Sequence, residues 1–176
     1  MKKNLLSIMA AAITAILMLG NAGAQVAMNN SANANADFTT LNNASIKRTI
    51  SAADVNFRTL KDFKKRFATT TDATWQETDK GYIARFSANS IETMVAYGKQ
   101  GTWFYTIQRY NEKNLLANVR ALVKSTYYDY TFFHIDKVNV PEQENTIYIL
   151  LLQDNKHFKT IRVCGDEMEV INDYHE

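Results

Sequence analysis

The chain has 176 residues, 46% of them hydrophobic and 22% charged, with 20 basic and 18 acidic side chains. That length suits one domain, or two small half-domains sharing a core. The near-balance of charge argues against nucleic-acid binding, which uses a net basic face, and the single cysteine, Cys164, excludes an internal disulfide.

The N-terminus has the three parts of a secretory signal. Lys2 and Lys3 are followed by an apolar run from Leu5 to Leu19 and by the small residues Ala22-Gly23-Ala24. The run is shorter than the roughly 20 residues that span a bilayer. The expectation is a signal peptide over 1–24, cleavage before Gln25, and export to the periplasm or beyond, with no integral membrane segment afterwards. Loss of Lys2 and Lys3 leaves 18 basic against 18 acidic residues, so the exported chain is neutral. Residues 25–50 are rich in Asn, Ala, Ser and Thr. Such a composition buries too little apolar surface to offset its ordering entropy, and it predicts a disordered leader.

Ordered elements are expected from Ser51 on. Ser51 and Asp54 resemble a capping box, and Phe57, Leu60, Phe63 and Phe67 share one helical face. Lys61, Lys64, Lys65 and Arg66 read as the solvated side of that helix, which ends at Thr69-Thr70-Thr71. Strands are predicted over 73–78, 82–88, 91–97 and 102–110. The turns Asp79-Lys80-Gly81 and Gly98-Lys99-Gln100-Gly101 make neighbours antiparallel.

The pattern then restarts. Leu115, Leu116, Val119, Leu122 and Val123 fit a second helix reaching about Tyr127. Strands follow over 130–140, ending at Pro141, then 146–153, 158–164 and 168–174. The reading is an α+β fold of two tandem repeats, 51–110 and 111–176, each a helix plus a four-stranded antiparallel sheet. Doubling thickens a core that one helix on one small sheet leaves thin.

The runs Leu60-Lys61-Asp62-Phe63 to Phe67, Ala73-Thr74-Trp75, Gly81-Tyr82-Ile83-Ala84-Arg85-Phe86 and Gly101-Thr102-Trp103 resemble the PepSY-like, beta-lactamase-inhibitor-like domains of exported Gram-negative proteins. The resemblance spans about residues 52–174. It implies a tandem helix-on-sheet fold with a concave sheet surface, and by the family's name an inhibitor of a secreted enzyme. It brings no catalytic motif.

No phosphate loop, Gly-x-Ser-x-Gly elbow or His-Glu-x-x-His helix is present. His134 and Asp136 fall on one face of a strand, yet no further ligands stand at telling spacings. Neither an enzyme nor a cofactor or metal site is expected. Aromatic residues crowd the strands instead: Trp103 and Tyr105 on one face of 102–110, Phe104 and Tyr110 on the other, with Tyr127, Tyr128, Tyr130, Phe132 and Phe133 near the second sheet segment. Rings left exposed on a sheet mark partner sites. The sequence thus predicts a non-enzymatic binding module for a protein or peptide partner in the cell envelope, such as a protease, with Trp75, Trp103 and Tyr105 as anchors. The alternative is a structural or accessory envelope protein that self-associates and has no discrete soluble ligand.

Overall fold

The computed structural model describes residues 45–155 and 157–175. The expected signal peptide over 1–24 and the leader as far as residue 44 lie outside them. Among the described residues no helix is long and apolar enough to cross a membrane.

Short turns dictate most of the topology. In the hairpin at 88–91, Asn89 and Ser90 both take positive φ, 52° and 62°. That twist matches the right-handed twist of the flanking strands. The strands are β1 (Ile46–Ile50), β2 (Thr74–Thr78), β3 (Gly81–Ala88), β4 (Ile91–Gly98), β5 (Trp103–Tyr110), β6 (Thr131–Asn139), β7 (Ile147–Gln153), β8 (His157–Cys164) and β9 (Glu167–His175). Helix α1 (Phe57–Arg66) joins β1 to β2, and α2 (Ala117–Thr126) joins β5 to β6; a short 3-10 turn precedes each. Among the described residues these nine strands form one sheet in chain order, every neighbouring pair antiparallel.

This corrects the expected pair of tandem four-stranded sheets. Thr106 to Tyr110 of β5 pairs with Asn139 to Ile135 of β6, across the supposed boundary between repeats. Two separate sheets would each present open edges there, and joining them satisfies those backbone groups. A further strand, β1, forms from the last residues of the segment read as leader. Arg48 bonds Glu77 at 2.9 Å and Ile50 faces Trp75 across the β1–β2 ladder.

Cross-strand register assigns the faces. Val95, Thr106 and Tyr97 of the central strands share a face with Trp75, Ala84, Ile135, Leu150 and Ile161. Both helices lie on that face. Phe63 of α1 is buried against Trp75, Phe67 and Phe86, with ring centroids 5.0, 5.2 and 5.7 Å away. Burying a ring of this size stabilises the fold by about 2–3 kcal/mol. Val119 and Val123 of α2 join Leu115, Ile135, Leu150, Ile161 and Val163 in a second cluster.

Polar contacts orient α1. Asn56 accepts from the Arg58 amide at 2.8 Å and caps the helix, while Ser51 caps only the preceding 3-10 turn. Phe57, expected on the buried face, stands exposed as the first residue after the cap. The Tyr97 hydroxyl donates to Asp62 at 3.0 Å, Asp62 accepts from Arg66 at 2.6 Å, and the Arg66 guanidinium lies 3.9 Å over the Trp103 ring.

Candidate docking face

The opposite face carries no helix among the described residues. Its side chains follow from the same register read one residue out of step: Ile83, Met94, Ile107, Val138, Ile147 and Ile149 form an apolar floor running from β3 to β7. The middle of this floor is buried and the corner at the start of β6 is open. There a bulge sets Phe133 out of the ladder, between Phe132 and His134. Phe133 is 62% exposed, and its ring meets Phe158 edge-on at 5.9 Å. Tyr174, also exposed, stands opposite Phe158 on β9. At the same end of the sheet a pocket of about 560 Å³ is lined by Asp129, Thr131, Gln153, Asp154, Asn155 and His157.

Charged groups cross the floor in one register row from Glu92 through Arg109 and Asp136 to Arg162 and Glu169. Asp136 is buried. One carboxylate oxygen accepts from Arg109 Nε at 3.2 Å and the other lies 3.1 Å from His134 Nε2. Arg109 also reaches within 3.8 Å of Glu92. Arg85 donates to Gln76 at 3.4 Å, and burial pulls its guanidinium below the ordinary arginine range. Burial pushes the Tyr105 hydroxyl up to about 12, against the opposing pull of Arg85.

The structure separates the three expected anchors. Trp75 is 3% exposed, wedged on the helix side between Phe63 and Tyr97. Trp103 is half-buried on that same side, where its Nε1 donates to Thr106 at 3.1 Å. Tyr105 alone lies on the open face, at 1% exposure. Two-residue alternation put Trp103 and Tyr105 together. A bulge parts them, because Tyr97 faces Trp103 while Ala96 faces Tyr105, which leaves Phe104 as the extra residue. His134 and Asp136 do share a face, as their spacing predicts, but no three His, Cys, Asp or Glu side chains converge on a metal position among the described residues. Cys164 is buried, with Gln143 Nε2 3.4 Å from its sulfur. Sequence reading passed over the Phe133, Phe158 and Tyr174 corner, although the crowding of rings around 127–133 pointed towards it.

The molecule thus defines a class: an α+β protein whose two helices cover one side of an antiparallel sheet and, among the described residues, leave the other side without a helix. Solved structures share this build. A DUF2874 family protein from Bacteroides ovatus is 18% identical, with a TM-score of 0.56 over 66% of this chain and 88% of that one. A BLIP-like protein from Bacteroides fragilis is 16% identical, with a TM-score of 0.57 over 69% and 88%. A candidate periplasmic protein from Bacteroides eggerthii is 17% identical, with a TM-score of 0.56 over 69% and 88%. Such identities show the fold alone. No protein-family model and no curated relative matches the chain.

Proposed function

We propose that this protein is an exported, non-enzymatic binding module of the periplasm that holds a protein partner against the open face of its sheet and inhibits or regulates it. One observation carries the reading: the face without helices has an apolar floor that ends in the exposed rings of Phe133 and Tyr174 beside Phe158. Exposed contiguous rings next to a buried floor are the composition of an interface centre. The BLIP-like neighbour has the same fold, and its description as beta-lactamase-inhibitor-like supports a partner of the secreted-enzyme class. The periplasmic description of a second neighbour and the signal-like N-terminus support the compartment. Tyr105, beneath the same face, belongs to the proposed site.

The test is affinity capture from an envelope extract of the source bacterium. The full chain is compared with a Phe133→Ala/Tyr174→Ala variant and with a Phe57→Ala control on the helix side. Enrichment of one hydrolase by the full chain and the control, and its loss with the double variant, is the expected result. Equal capture by all three would sink the placement. Recovery of the protein's own copies alone would favour the self-associating structural module instead.

A further inference from the structure

Arg162 is anomalous on the open face. It stands on β8 between Ile149 of β7 and Glu169 of β9 in the ladder, and its side chain is only 3% exposed. Its Nε is buried and has no hydrogen-bond partner among the described residues. The nearest anion, a Glu169 oxygen, lies 3.7 Å from Nη1, beyond hydrogen-bond reach, on a side chain 49% exposed at the sheet edge. Arg109 in the same row shows the usual arrangement, with its Nε on the buried Asp136 carboxylate. A guanidinium this deep is ordinarily bonded as well as paired, and Glu169, half in water, supplies only a weak long-range charge.

We infer that Arg162 is a carboxylate-binding subsite, taking an Asp or Glu side chain that a protein partner presents over the open face. The inference rests on the docking reading for the owner of that carboxylate. The guanidinium fork matches two carboxylate oxygens, and the flanking Ile147 and Ile149 exclude the water that would weaken the pair. Glu169 holds the place in the free protein and swings aside. Glu167 stands next to it on the edge strand, two positions along the chain, so an incoming carboxylate meets like charge from the edge and is admitted from above the floor.

The probe is N-acetyl-aspartate methylamide, with the uncharged asparagine analogue as control, titrated into the 15N-labelled full chain. The Arg162 Nε–H signal, assigned through its own side-chain carbons, is the readout. A saturable shift on the order of 1–10 mM is expected with the aspartate compound alone. Glu169→Gln removes the competing charge and tightens binding several-fold. If Glu169 is instead the structural partner of Arg162, that substitution lowers stability and the signal ignores the probe in both proteins, which overturns the inference. An equal shift with the asparagine compound overturns it as well. Probe binding with no partner captured would sink the docking reading and leave the subsite. A partner captured equally by Arg162→Lys, with no response to the probe, would sink only the subsite.

Discussion

The Tyr97 hydroxyl donates to Asp62 across the interface between sheet and helix, 3.0 Å from β4 to α1. Burial and the neighbouring carboxylate push the phenol well above the ordinary tyrosine range, so it stays protonated and keeps donating. Tyr97→Phe leaves Asp62 with Arg66 as its remaining partner. The expected loss is about 1.5–3 kcal/mol, the range for a hydrogen bond to a charged group. A double-mutant cycle with Asp62→Ala in urea unfolding measures it. Additive losses would mean that the two residues are not coupled.

Tyr105 makes stability depend on alkaline pH. Its hydroxyl ionises near the ordinary 10.0 in the unfolded chain and at about 12 in the fold. The folded state therefore holds the proton more tightly. Its contribution is complete below pH 10 and is lost as pH rises towards 12, a change of about 3 kcal/mol. Tyr105→Phe should flatten that part of the curve of stability against pH. An unchanged alkaline limb would assign the loss to other groups.

Gly101 fits where no other residue does. Its φ is +90°, and a Cβ there would meet Arg58 Cβ at 2.7 Å and the Thr59 amide at 3.0 Å. The β4–β5 turn thus presses against the start of α1, where Asn56 also donates to the Lys99 carbonyl at 3.2 Å. Gly101→Ala must strain the turn or lift the helix, at a cost of about 1–3 kcal/mol. Thermal unfolding reads this directly. A variant as stable as the parent would show that the turn can relax.

Two phenylalanines should behave oppositely. Phe63→Ala empties the centre of the α1 cluster and costs about 3–5 kcal/mol. Phe133→Ala, at an exposed bulge, should change stability by no more than about 0.5 kcal/mol while reducing partner capture. A marked stability loss at Phe133 would make its ring part of the fold and not of the site.

The strands and helices were legible because their punctuation is local. Gly81, Gly98, Gly101 and Gly165 stand at strand ends and turns, and the three- and four-residue spacing of Leu60, Phe63 and Phe67 marks α1. The single sheet was not legible. Whether Tyr110 pairs with Ile135 is decided across a helix and two connections, by edges that sequence periodicity does not describe. The candidate site was half legible. Richness in rings around 127–133 is visible in the sequence, but bulges at Phe104 and Phe133 break the two-residue alternation, so counting positions assigned Trp103 to the wrong side of the sheet relative to Tyr105. Thr59 and Thr106, both buried, carry no sequence signal that separates them from surface threonines.

Because every strand lies beside the one made just before it, the sheet contains no pairing that must wait for a later part of the chain. A polypeptide delivered N-terminus first can therefore add strands in order of arrival, each edge serving as template for the next and open only until its successor arrives. Among the described residues β1 is the edge strand at one side of the sheet, and β9, the last strand, keeps an open edge at the other. Glu167, Glu169 and Asp173 of β9 then stand where a stray strand would have to dock, and their charge discourages it.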